Sequence, residues 1–251
     1  MRCAARCGSS TPGALAALGA QLAEPEALAV LQLAPTPEQG RRLTRAAVRR
    51  ALVGAGRRRN LQAWVVAVHD ALAAPQLAAP GPVEAAYREV VGALVAMLSS
   101  LNQQVAALEQ QLAARFAAHP DAAILRSQPG LGVVLGARVL AEFGDDPGRY
   151  ATAKGRKAFA GTAPVTRSSG LRTMVVARAA CNQRLVDACY LWAFAALSAS
   201  PGARRCYDAH RARGQTHHQA LRSLGNRLVG ILHGCLARRV AYQEQIAWPA
   251  A

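Results

Sequence analysis

Acidic residues are scarce: 14 Asp and Glu face 30 Lys and Arg among 251 residues, a formal net charge of +16. Aromatic side chains are equally thin, at 5%. Sheet sandwiches draw on aromatic and β-branched side chains, so this lack, beside an abundance of Ala, Leu and Arg, points to helices. No stretch holds eighteen uninterrupted apolar residues, which on that criterion leaves no membrane span. The apolar run Ala14–Leu18 is too short for a signal peptide despite Arg2 and Arg6. The six cysteines, at positions 3, 7, 181, 189, 206 and 235, form no CxxC pair. Such spacing reads as reduced thiols in the cytoplasm rather than a disulfide framework.

What is present suffices for a folded chain: 52% hydrophobic and 18% charged residues, too apolar for disorder and sized for one or two domains. The charge is uneven. From Ala151 to Arg239 there are fifteen Lys and Arg against Asp187 and Asp208, and from Gln39 to Asn60 eight Arg and no acid. Leu61 to Tyr150 lies close to neutral between them. Like charge at this density repels itself, so a polyanion, most commonly nucleic acid, is the expected partner. Solvated Arg-rich helices are the plainer alternative.

Periodicity divides the chain. Residues 1–22 show no usable period and read as a poorly ordered start. A short helix at Leu28–Leu33, an N-cap at Thr36 before Pro37, a helix over Arg41–Leu52 and another over Leu61–Leu72 follow. Pro75, Pro80, Gly81 and Pro82 break the chain. Then Tyr87, Val91, Leu94, Leu98, Leu101, Val105, Leu108 and Leu112 alternate spacings of four and three, an a/d seam. The seam predicts a helix of about 33 residues, roughly 50 Å long, paired with a second copy of the chain or packed within its own.

Leu125 to Leu140 reads as a helix end, a Pro129-Gly130-Leu131-Gly132 turn and a second apolar helix. In a helix-hairpin-helix pattern Gly130 and Gly132 would let backbone amides approach a phosphate. An ordinary Gly-rich turn is the alternative; a dinucleotide fingerprint is excluded because Leu135 stands at the third glycine's place and no strand precedes. Lys154, Arg156 and Lys157 precede Phe159-Ala160-Gly161-Thr162-Ala163-Pro164, and Arg167, Ser168, Ser169, Gly170, Arg172 and Arg178 follow. These bases are the candidate phosphate contacts, and two hydroxyls between arginines suit attack on a phosphodiester. No His or carboxylate adjoins the serines to activate them. A β-hairpin is expected near Thr173–Ala177. The C-terminal helices are expected over Arg184–Leu197, Ala203–Arg213 and Thr216–Tyr242. Cys206, His210, His217 and His218 are too loosely spaced for zinc.

Leu125-Pro129-Gly130-Leu131-Gly132, Ala141-Glu142-Phe143-Gly144-Asp145, Phe159 to Pro164, Ser169-Gly170, Tyr207, His217, Ala220-Leu221 and Asn226-Arg227-Leu228 stand in an order that resembles the C-terminal domain of the IS110/IS116/IS902 insertion-sequence transposases. The likeness covers about residues 83–248, and residues 24–80 resemble the helical linker of actinobacterial members. The resemblance implies DNA recombination guided by a structured RNA, assembly as oligomers, and a serine nucleophile that falls on Ser169, with Ser168 as fallback. It also implies Mg²⁺ held by an acidic RuvC-like module. Before residue 83 the acids are only Glu24, Glu26, Glu38 and Asp70, on helical segments, so no metal is expected on this chain, and an N-terminally truncated, cleavage-deficient transposase is the expected reading. A non-catalytic basic nucleic-acid-binding protein is the other, and a ribosome- or nucleoid-associated structural protein a third. The expected architecture is mainly α: a helical linker (1–82), a coiled-coil helix (83–119) serving self-association through 87–112, and a helical transposase domain (120–251).

Overall fold

The computed structural model describes residues 15, 17–76 and 79–249. The fold is mainly α, with a single antiparallel strand pair among the described residues. It divides into two compact units that part between Leu108 and Glu109, inside the longest helix; the sequence-based lines at 82 and 119 enclose that helix instead.

In the first unit α1 (Pro25–Leu33), α2 (Pro37–Arg42), α3 (Arg45–Gly54) and α4 (Leu61–Ala73) gather around Leu28, Leu31, Val48, Leu52, Val65, Val68 and Leu72. Thr36 caps α2 by accepting from the Gln39 amide, as the Thr-Pro signal predicts. The single helix expected over Arg41–Leu52 is two, because Thr44 accepts from the Ala47 amide and starts α3 afresh. The expectation of a poorly ordered start fails at Leu18 and Leu22, which are buried in this core; the remaining residues of that stretch up to 14, and 16, lie outside the described ones.

Helix α5 (Gly81–Ala117) is 37 residues long. Val91 and Val95 are buried in the first unit's core and Leu98 packs on it, while the Asn102 amide donates to the Ala23 carbonyl at 2.9 Å. The first half of the seam is therefore satisfied within the chain. Met97, Leu101, Val105, Leu108 and Leu112 are exposed. By length and composition α5 could cross a membrane: an 18-residue window has mean hydropathy 1.4, and 11% of it is buried. The criterion of an uninterrupted apolar run missed this, because scattered Ser, Asn and Gln break the run without lowering the average enough.

The second unit is built on α9 (Gln183–Ala199) and α11 (His217–Arg238). Against them pack α6 (Ala122–Ser127), α7 (Val133–Phe143), α8 (Ala153–Phe159) and α10 (Pro201–Ala212), and a short α12 (Glu244–Ala247) follows. Trp192, Leu185, Leu221, Leu224, Leu228 and Leu232 are fully enclosed. Thr152, Asn182, Ser200 and Thr216 cap α8, α9, α10 and α11, the last in a capping box with Gln219.

Gly130 explains the turn between α6 and α7. Its φ is +81°, and a Cβ there would meet the Ala196 amide nitrogen at 2.6 Å, while the Trp192 indole donates to the Pro129 carbonyl at 2.9 Å. The turn is seated on α9, so Gly130 serves close packing. Gly132 is an exposed N-cap with open space beside it. Gly130→Ala should therefore destabilise the second unit by about 2–3 kcal/mol, from overpacking plus left-handed backbone strain. Denaturant unfolding checks this, and an unchanged midpoint would remove the packing role.

Candidate nucleic-acid interface

From Pro147 to Val186 there is no acid at all and eight Lys or Arg. Within that stretch β1 (Val165–Ser169) and β2 (Arg172–Val176) pair antiparallel, Ser169 opposite Arg172. Only Gly170 of the two turn residues has positive φ, at +56°, the pattern of a two-residue II′ hairpin, which needs Gly at its first central position. The hairpin extends beyond the few residues expected from sequence to both strands.

The turn holds Ser169 exposed at the strand end. Among the described residues its hydroxyl makes no hydrogen bond, and Ser168 Oγ lies 3.3 Å from Thr173 Oγ1. Neither serine has a general base beside it. Two of the thiols are poor substitutes as nucleophile: burial pushes Cys189 up to about 12 and raises Cys206, leaving both protonated near neutrality.

At the other end of the hairpin lies a cavity of about 840 Å³ between Pro164, Val175 and Val176 and the helices α10 and α11. Its lining carries Lys157, His210, Arg222 and Arg227 and no carboxylate. Thr162 Oγ1 lies 3.3 Å from both the Lys157 carbonyl and Asn226 Oδ1, tying α8 to α11. His210 Nδ1 is enclosed with no partner. Lys157 reaches across α11 at Gly230, where a Cβ would stand 2.6 Å from Lys157 Cε; the glycine gives the lysine its path. Arg227 donates to the Ala247 carbonyl at 3.1 Å and its guanidinium lies 4.6 Å from the Trp248 ring centre.

The sequence-predicted contacts thus separate. Lys157 joins the cavity. Lys154 and Arg167 are exposed. Arg178 is half-buried, its Nε without a partner. The side chain of Arg172 lies outside the described part. Arg156 does not face solvent: it is 6% exposed, beneath Tyr150 and Phe143, which corrects its assignment to a surface contact. Four residues of strand, about 14 Å at 3.4 Å each, separate Ser169 from the hairpin base, so the hydroxyl and the basic cavity are two places. Arg222 was missed in the sequence, His210 was weighed there only as a loose metal ligand, and Arg227 stood only in the family motif, because these residues come together from different helices; for Arg222 the one signal was the Arg-rich composition of that region. In the first unit the basic run is partly spent internally: Arg45 pairs with Asp70 at 3.1 Å, Arg42 with Glu38, and Arg57 lies 3.7 Å above Trp64.

The IS116/IS110/IS902 transposase family matches residues 122–208. The "Mini-circle putative transposase for IS117" of Streptomyces coelicolor is 40% identical over 227 residues, 90% of this chain and 55% of the relative. An "Insertion element IS110 uncharacterized 43.6 kDa protein" of the same organism is 38% identical over 160 residues, 62% of this chain and 39% of the relative. An "Insertion element IS900 uncharacterized 42 kDa protein" of Mycobacterium paratuberculosis is 34% identical over 163 residues, 64% of this chain and 41% of the relative. The chain spans about half the length of these curated relatives, or less.

If the cavity holds a backbone phosphate, Lys157→Ala should weaken duplex binding by a similar factor on every sequence and lower the salt slope by about 0.9. Filter binding or anisotropy across a salt series checks this, and loss of preference at one base position instead would contradict a phosphate role.

Proposed function

We propose that the chain, which matches the IS116/IS110/IS902 transposase family through residues 122–208, is a transposition protein of the cytoplasm that grips DNA, and a structured RNA with it, through its basic second unit. The observation that carries this is the acid-free stretch 147–186 beside a cavity lined by Lys157, His210, Arg222 and Arg227 and by no carboxylate. Such a surface neutralises phosphates and releases counterions.

Ser169 is the candidate nucleophile. Its Oγ would attack phosphorus, forming a new O–P bond as the bond to the deoxyribose oxygen breaks; the hydroxyl gives up a proton and the departing oxygen takes one. Arg167, on the same strand, is available to steady the phosphate charge. No base adjoins Ser169 among the described residues, and we assign it to a partner module supplied in trans. Mg²⁺, which the family implies, does not fit here: no group of three or more His, Cys, Asp or Glu that could hold a metal occurs among the described residues. Glu26, Glu38 and Asp70 each face an arginine. No step is therefore routed through a metal on this chain. The same bare hydroxyl favours the second reading, a non-catalytic basic nucleic-acid-binding protein in which Ser169 only donates to phosphate.

Self-association is assigned to the exposed second half of α5, where Leu101, Val105, Leu108 and Leu112 keep the four-three-four spacing that pairs helices. These four side chains stay exposed among the described residues, so a second copy of the chain is the proposed cover. Replacing Leu101 and Leu108 with Asp should convert a dimer or higher oligomer to monomer in light scattering with the helix content kept. A wild-type chain already monomeric at micromolar concentration would end this assignment.

For the chemistry, the chain alone should bind element-end duplex without cutting it. Adding, in trans, the portion of the Streptomyces coelicolor relative that lies outside the matched region should yield a covalent serine–DNA adduct that Ser169→Ala abolishes. An adduct persisting in Ser169→Ala moves the nucleophile elsewhere, and cutting by the chain alone contradicts the missing-base argument.

A further inference from the structure

Away from the hairpin, the second unit encloses another cavity, of about 890 Å³, between the loop before α6, the end of α7, the 144–151 loop and α11. Arg156 lines it. This side chain is more than nine-tenths buried, its guanidinium 4.6 Å from the Tyr150 ring centre and 5.0 Å from that of Phe143. Among the described residues it makes no hydrogen bond and no ion pair, and its Nε is without a partner. A buried charge is normally paired or hydrogen-bonded, because taking it out of water is costly, and the ring faces supply no acceptor for the enclosed Nε–H.

The carboxylates around the cavity are already committed. Asp121 pairs with Arg239, and its charge also reaches Arg156 without a hydrogen bond or ion pair. Asp145 lies 3.8 Å from His119 Nε2. Asp146 Oδ1 accepts from the Gly148 amide at 2.8 Å. Even Arg149 and Tyr150 are spent, both donating to the Phe143 carbonyl at 3.1 Å. The uncommitted donors are therefore Arg156 and, on α11 at the same cavity, His233, whose enclosed Nδ1 also has no partner. Burial and the neighbouring Arg156 and Lys157 lower the His233 pKa, which keeps the imidazole neutral and able to donate from one nitrogen.

We propose that this cavity binds a small ligand through an oxyanion, a phosphate or carboxylate on a body up to nucleotide size, with Arg156 as the anchoring fork and His233 as second donor. Planar guanidinium donors match the oxygens of either group, and the volume lies in the range of small-molecule sites. The site is distinct from the hairpin and its basic cavity, and it does not rest on nucleic-acid binding.

The test titrates the full chain with inorganic phosphate, adenosine 5′-monophosphate and acetate at constant ionic strength, following the histidine ring signals by NMR, with His233 assigned from a His233→Gln variant. The expected result is a saturable shift of His233 with half-saturation at millimolar concentration or below, while His69, in the first unit, stays still. Arg156→Gln should weaken it at least tenfold. If that variant fails to fold by circular dichroism, Arg156→Lys replaces it, keeping charge but losing the fork, with an expected several-fold loss. Phosphate tighter than acetate identifies a phosphoester, the reverse a carboxylate, and the nucleotide tighter than both shows that the organic body is held too. Displacement by a 5′-phosphorylated duplex would name a nucleic-acid end as the source. No saturable shift with any of the three, equal shifts in the Arg156 variant, or proportional movement of every histidine would overturn the site.

Discussion

The second unit rests on a conflict between an apolar helical core and an unneutralised positive surface. Its interior is orthodox: Trp192 and a column of leucines from α9 and α11 are fully enclosed, and burial of side chains like these supplies the folding drive. The stretch between Ala151 and Arg239 has thirteen more bases than acids, most of them on the outside. Few of those charges have partners, the exceptions being pairs such as Arg204 with Asp208, 2.9 Å apart and exposed, a kind that contributes little. Folding gathers charges that the unfolded chain would hold apart, and only a polyanion or salt relieves the repulsion. Helix caps and glycine-mediated close packing then position the hairpin and the basic cavity on this charged frame.

Not every base belongs to that surface. Arg156 is folded under Tyr150 and Phe143, and Arg57 over Trp64. Composition counts them with the rest, yet they face ring surfaces rather than solvent. In the second unit the distinction would separate the two kinds of anion recognition proposed above. Exposed bases offer long-range, salt-sensitive attraction to a backbone. A buried guanidinium with spare donors offers a shaped site for a single group.

What was legible in the sequence follows from which forces are local. Thr36 before Pro37 and Thr216 before Gln219 announce helix starts because a cap is made within three residues. Ser169-Gly170-Leu171-Arg172 makes a tight turn from equally local residues, yet the hairpin was expected a few residues on, near Thr173–Ala177. The long helix was legible through its spacing. The second cap, at Thr44, is equally local and was overlooked beside the continuing apolar pattern. The rest is long-range. That Gly130 lies against α9 depends on Ala195 and Ala196, some sixty-five residues on, and that Arg156 is buried depends on rings from α7 and the loop after it. The cavity below the hairpin assembles residues from α8, α10 and α11, none of which carries a motif. The family likeness supplied Ser169, but only the fold shows how bare its hydroxyl is.

The most direct test of the central claim is thermal unfolding of the chain in low salt with and without a stoichiometric duplex or structured RNA. The account predicts that either polyanion raises the midpoint, and that the gain fades as salt is added because screening removes the same repulsion. A midpoint indifferent to both polyanions at low ionic strength would contradict it.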